Sequence, residues 1–309
     1  MDEEIEGGNE FAPLPPRDEP GPVFDTLFFR GPVQQNIKLV QSYQGTFSPR
    51  LVGLKGVQPG GAIVYQLPAP VDCVGPDYLV SNKHFTCVLR RQGGVIRELI
   101  VGDKVVAKEH DLYGDQEYFH AGDSSRIAAG NDVESGIRIW AAKEWKELHL
   151  SFEGQLRGFG RFDLKRPPLW YRNEYVFTDK PTFKQKWAFR TEKSFKDKTA
   201  FLAAIVQLPE ADRFRFLRDG EAIAEDAVEE GGPRRGQTKG GPAPGRVEFL
   251  KDGKVLFGLT GLTAPEDSSP NVFVHGRQFF IALLDGKSSG MNEGRWYEFE
   301  AEWQMGGQR

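Results

Sequence analysis

The chain reads as an all-β protein: an antiparallel β-sandwich of jelly-roll type, built as two stacked sandwiches with at most one or two short helices. Three observations predict this class. From Val23 onward, short apolar stretches are broken by turn residues every eight to twelve positions, the spacing of sandwiches and barrels. Within many stretches apolar and polar residues alternate, as a strand with one wet face requires, and helical periodicity is almost absent. Asp219-Gly220 and Asp252-Gly253 each sit between alternating segments, and Asp-Gly suits the two positive φ angles of a type I′ hairpin.

Strands are expected at Asn36 to Ser42, Ala62 to Leu67, Phe85 to Arg91, Val95 to Val101, Ile137 to Trp140, Leu148 to Phe152 and Gln155 to Leu164. In Thr182 to Thr191 the alternation puts Phe183, Gln185, Trp187 and Phe189 on one side. The segments around Asp219-Gly220 and Asp252-Gly253 resemble each other over eleven residues, and a third Asp-Gly follows at Asp285-Gly286. The third lacks the rest of the pattern, so similar hairpins on one sheet edge are expected rather than a repeat fold. The stretch Ser194 to Leu208 is open to two readings. Ser194-Phe195-Lys196-Asp197 has the form of a helix-capping box, while the apolar run from Thr199 to Leu208 suits a fully buried strand.

Three segments organise the chain. Residues 1–22 form an extended acidic arm: five prolines there rule out a helix or central strand, and residues 1–20 carry seven acids against one arginine. Since the whole chain sums to −4 and this stretch to −6, the remainder carries +2. Two prolines, Pro167-Pro168, divide the body into sandwiches at 23–164 and 165–309. Within the second, 226–245 holds six glycines and three prolines and reads as an exposed loop.

Composition sets several classes aside. The longest apolar runs are six residues, against roughly 20 for a membrane-spanning helix, so no membrane span is expected. No basic segment followed by an apolar core opens the chain, so no secretory signal is expected, and cytoplasmic synthesis or a virion is the expected setting. Lysines and arginines form no cluster interleaved with aromatics, which argues against nucleic acid. Cys73 and Cys87 read as free thiols rather than a disulfide scaffold. The five histidines show no metal-ligand spacing, and no cofactor motif is present.

Chemistry-bearing residues are few. His149, between Leu148 and Leu150, is expected to face solvent. Glu298, Glu300 and Glu302 share one face of the terminal strand and read either as paired carboxylates of a glycosidase or as a wet face. Among the aromatics, Trp170 and Tyr171, beside the proline break, are the candidate exposed pair for stacking on sugars. Arg97-Glu98-Leu99 and Tyr118-Phe119-His120-Ala121-Gly122 resemble pieces of the R-x-E-L and Y-F-K-A-G motifs of jelly-roll alginate lyases. There an Arg neutralises a uronate and a Tyr/His pair moves protons, so the resemblance implies Arg97, Tyr118 and His120 as a catalytic set. The chain departs from that pattern: the intervening Gln-x-His is missing and His120 stands where the motif has lysine.

Two functions are expected from this. The first is a non-enzymatic assembly protein, such as a jelly-roll virion coat protein, self-associating through the N-terminal arm. The second is a carbohydrate-active β-sandwich, either a polysaccharide lyase or a carbohydrate-binding module.

Overall fold

The computed structural model describes residues 50–52, 63–66, 77–109, 117–120, 126–132, 135–142, 147–158, 169–194, 201–238, 243–263, 271–285 and 291–306. The arm at 1–22 and the expected strand at Asn36 to Ser42 lie outside them. The strands in the first part are β1 (Arg50–Val52), β2 (Ile63–Gln66), β3 (Tyr78–Ser81), β4 (Thr86–Leu89), β5 (Ile96–Val101), β6 (Lys104–Lys108), β7 (Glu117–His120), β8 (Arg126–Ala128), β9 (Gly136–Ala142), β10 (Glu147–Gln155) and β11 (Arg157–Gly158). Those that follow are β12 (Leu169–Phe177), β13 (Thr182–Thr191), β14 (Phe201–Gln207), β15 (Arg213–Arg218), β16 (Glu221–Ala227), β17 (Arg234–Arg235), β18 (Arg246–Lys251), β19 (Lys254–Thr263), β20 (Asn271–His275), β21 (Gln278–Asp285) and β22 (Trp296–Met305). The one helical turn among the described residues is the 3₁₀ segment Ala129–Asn131.

These strands make two antiparallel sheets. A nine-stranded sheet runs β16-β15-β18-β19-β22-β13-β12-β10-β9. A thirteen-stranded sheet follows the path β1-β2-β3-β4-β5-β6-β14-β21-β20-β17, with β7, β8 and β11 branching from β14. The branch arises because two strands share one edge of β14. Gln207 pairs with Lys108 of β6, and Ala204 to Phe201 pair with Glu117 to His120 of β7.

The all-β sandwich expected from the sequence is the fold observed. The strands are not sorted at Pro167-Pro168, however. Both sheets draw strands from either side of it, and β10 and β12 pair from Leu148↔Phe177 to Gln155↔Trp170. One buried cluster runs between the sheets, with Phe85 5.4 Å from Phe183, Tyr78 6.0 Å from Phe152, and Phe279 5.0 Å from Phe249. Such ring pairs add roughly 0.5–1.5 kcal/mol beyond the area they bury.

Local chemistry explains the elements. Asp219 (φ 52°) with Gly220 (φ 86°) and Asp252 (φ 50°) with Gly253 (φ 75°) form the two predicted left-handed turns. Their hairpins, β15–β16 and β18–β19, lie side by side at one edge of the nine-stranded sheet. The ambiguous run resolves as strand β14, because it is flanked by β21 on one side and by β6 and β7 on the other. Both of its faces are buried, Leu202, Ala204 and Val206 in the main cluster and Ala203 and Ile205 in a smaller one with Phe273 and Phe280, and burial on both faces selects a continuous apolar run over an amphipathic pattern. In β13 the residues Phe183, Gln185, Trp187 and Phe189 all face the core, as the alternation predicts. Cys87 is a free, buried thiol whose pKa is pushed up by burial.

The expected exposed loop at 226–245 is more ordered than its composition suggests over residues 226–238. Arg234–Arg235 pair with β20, so this segment leaves the nine-stranded sheet at β16 and joins the other sheet at β17. Arg235 bonds Asp226 at 2.5 Å and Glu229 at 3.0 Å. Gly236 (φ 69°) lies against Phe216 and Phe214, where a Cβ would come within 2.7 Å of a ring carbon.

Candidate functional site

The period-two alternation of a strand sends successive side chains to opposite faces, so the nine-stranded sheet has an inner face in the core and an outer one. On β12, Tyr171, Asn173 and Tyr175 are buried inward and Trp170, Arg172 and Glu174 project outward. On β22, Tyr297, Phe299, Ala301 and Trp303 are inward, leaving Trp296, Glu298, Glu300 and Glu302 outside.

Register then aligns outward residues into rows across the strands. One row is Gln155, Trp170, Arg190 and Trp296. The guanidinium of Arg190 lies 5.9 Å from the Trp170 ring and 5.3 Å from the Trp296 ring, and Arg172 lies 4.9 Å from Trp296. Trp170 Nε1 donates to Glu192 Oε1 at 2.8 Å. Both indoles are half-buried, so part of each ring reaches the surface. Two strand spacings, about 10 Å, separate their backbone positions.

The neighbouring row is Glu153, Arg172, Ala188 and Glu298. Arg172 Nε donates to Glu153 Oε2 at 2.9 Å, and both residues are buried. Arg138 sits on the adjacent strand, its pKa lowered mainly by burial, with Glu153 opposing and Arg172 reinforcing the shift. Farther along, Lys186 pairs with Glu298 at 2.7 Å and the more exposed Lys184 with Glu300 at 3.6 Å. The Glu298, Glu300 and Glu302 series thus occupies a wet face with lysines opposite two of its members. At the far edge His149 and Trp140 are paired in register and stacked at 4.9 Å, with His149 Nε2 3.3 Å from Glu147. His149 is on the outer face, as predicted, and half-buried there.

The predicted pair Trp170 and Tyr171 separates. Trp170 belongs to the outer row, but Tyr171 is fully buried, because adjacent residues of one strand cannot share a face. The Tyr171 hydroxyl donates to Asp132 Oδ2 at 2.9 Å and lies 2.9 Å from Ser135 Oγ.

The set Arg97, Tyr118 and His120 falls in the thirteen-stranded sheet. Arg97, on β5, donates to Asp77 Oδ2 at 2.6 Å, and Arg90 pairs with Glu109 beside it. Burial raises the pKa of Asp77, Glu98 and Glu109, with the neighbouring arginines pulling the other way. Tyr118 and His120 lie on β7, in register with Ala203 and Phe201; their side chains lie outside the described residues. Among the described residues, no group of three His, Cys, Asp or Glu side chains is arranged to hold a metal ion. No helix among them is long and apolar enough to cross a membrane.

Sequence reasoning missed Arg172, Arg190 and Trp296 as partners of Trp170. Each sits at an outward position of an alternating strand, which was a readable signal. Their convergence depends on the β12–β13–β22 register, which was not.

No family model matches the chain, and no curated protein matches it. Among solved structures it is similar to a "putative aldose 1-epimerase" from Klebsiella pneumoniae subsp. pneumoniae MGH 78578, with a TM-score of 0.47 at 7% identity over 79% of this chain and 84% of that one. It is also similar to galactose 1-epimerase from Lactobacillus acidophilus NCFM, with a TM-score of 0.37 at 6% identity over 85% of this chain and 100% of that one. A GalM/aldose epimerase homologue from C. elegans gives a TM-score of 0.35 at 9% identity, over 72% of this chain and 95% of that one. No residue role or activity carries over from likenesses this distant.

Proposed function

We propose that the protein is a carbohydrate-binding β-sandwich and that a saccharide lies across the outer face of its nine-stranded sheet. The observation that carries this reading is the row Trp170, Arg190 and Trp296, with Arg172 set against Trp296. Aromatic side chains supply large, rigid contact area, and the C–H faces of a pyranose pack on indole. The charged groups flanking the row supply hydrogen-bond donors and acceptors for ring hydroxyls.

This reading is favoured over the lyase set. A lyase arginine must meet a substrate carboxylate, whereas Arg97 already donates to the buried carboxylate of Asp77. The comparisons give no support to a virion coat protein.

Calorimetric titration with a panel of oligosaccharides tests the proposal. Truncating a central aromatic contact costs about 2 kcal/mol, some thirtyfold in affinity. Trp170→Ala and Trp296→Ala are each expected to weaken binding by that order while the thermal transition remains cooperative. Saccharide binding that both variants leave intact, or no binding by the parent protein, would refute the proposal.

A further inference from the structure

We infer that Glu153 and Ser151 form the polar floor of the saccharide site and that a sugar ring stacked on Trp170 donates a hydroxyl to Glu153 Oε1, an inference that rests on the binding proposal above. The observation behind it is a pair of orphaned atoms. Glu153 Oε1 and Ser151 Oγ are both buried and have no hydrogen-bond partner among the described residues. An unsatisfied buried polar atom costs free energy, so atoms left this way call for a partner that the folded chain does not supply.

Ser151 and Glu153 are two apart on β10, so both side chains take the outer face. Register sets Glu153 between Gly136 on the edge strand β9 and Arg172 on β12, with Ala188 next in the row. Gly136 and Ala188 carry little or no side chain, so this row lies low beside the taller one of Trp170, Arg190 and Trp296. Strand spacing and rise put the Glu153 and Trp170 backbones about 8 Å apart, within reach of a ring resting on the indole. Arg172 joins the two rows: its Nε donates to Glu153 Oε2 at 2.9 Å, and its guanidinium lies 4.9 Å from the Trp296 ring. With Oε2 engaged, Oε1 is the oxygen left to accept. Ser151, one row farther on, faces Arg138 and Glu174 in register, long side chains whose ends must swing aside to admit a ligand. A carboxylate oxygen accepts and a serine hydroxyl both donates and accepts, which complements the hydroxyls along one edge of a sugar.

The test titrates the full chain with neutral and uronate hexasaccharides, then with monodeoxy derivatives of the tightest binder, using the parent, Glu153→Gln and Ser151→Ala. One derivative is expected to bind the parent about tenfold more weakly than the full sugar, a loss that shrinks to about twofold or less in Glu153→Gln because the deleted hydroxyl and the carboxylate are partners. Ser151→Ala removes one hydroxyl and repeats the cycle should Glu153→Gln not fold; a derivative's loss is again expected to shrink in the variant. Deoxy losses of the same size in both variants as in the parent would overturn the inference, and Trp170→Ala and Trp296→Ala still weakening binding would leave the site standing. Binding that ignores both tryptophan variants, or no binding by any hexasaccharide, would overturn the site itself and the inference with it.

Discussion

The two faces of the nine-stranded sheet handle polar groups in opposite ways. On the inner face of β12, β13 and β22 they are uncharged and form a directed chain through the core. Trp303 Nε1 donates to Gln185 Oε1 at 3.0 Å, Gln185 Nε2 donates to Tyr175 Oη at 2.8 Å, and Tyr175 donates to the Gly94 carbonyl at 2.6 Å. Asn173 Nδ2 donates to the Gly93 carbonyl at 2.7 Å. On the outer face charged groups predominate and are matched across strands, by the buried pair Arg172–Glu153 and by the more exposed pairs Lys186–Glu298 and Lys184–Glu300. The inner chain places one object, the tip of the β4–β5 hairpin, while the outer pairs leave a surface that a ligand can engage. Buried polar groups must be satisfied individually, whereas exposed ones are solvated and contribute little to stability.

The comparison breaks most readily at the hairpin tip. Gly94 has φ +64°, and a Cβ there would come 2.2 Å from the Phe152 ring, so Gly94→Ala combines backbone strain with overpacking. A loss of about 3 kcal/mol or more is expected, read as a fall in the urea midpoint, and an unchanged midpoint would show that the tip is not held by the core. Tyr175→Phe is the next test. It strips the Gly94 carbonyl of its donor and Gln185 of its acceptor, at an expected cost of about 1–3 kcal/mol. A smaller cost would mean that the chain of bonds is dispensable.

The charged cluster around Arg97 gives a pH test. Asp77, Glu98 and Glu109 have folded pKa values raised above their ordinary 3.8, 4.5 and 4.5, chiefly by burial. Between the ordinary and the raised values, the folded state holds protons that the unfolded state has released. Stability from these groups is therefore intact below the ordinary values and declines as pH rises through the window above them. Urea midpoints measured from about pH 4 upward should show a shallower decline in Glu98→Gln than in the parent. Parallel profiles would remove Glu98 from the cluster's pH dependence. The smallest effect is expected on the outer face: Lys184→Ala breaks an exposed pair and should cost no more than about 1 kcal/mol, less at high salt. A larger loss would make that face a stabilising network.

Much of this fold was legible because alternation reports which side of a strand is dry. β13 and β22 were placed on their faces from Phe183 to Phe189 and from Glu298 to Glu302, and the Asp-Gly turns located both hairpins. Long-range pairing was not legible. Pro167-Pro168 suggested a domain boundary, yet β10 and β12 on either side are direct neighbours, since local backbone chemistry carries no information about which strands meet. Tyr171 illustrates the same limit at the site. Its place beside Trp170 in sequence suggested a shared surface, and the pleat sends it instead to Asp132. Trp296 entered the outer row only through register with Arg190.

The most direct test of the binding proposal is a crystal structure of the full chain with a hexasaccharide bound at a concentration near its measured Kd. The account predicts sugar rings across Trp170, Arg190 and Trp296 on the outer face. Sugar bound instead beside Arg97 and β7, with the tryptophan row untouched, would contradict it.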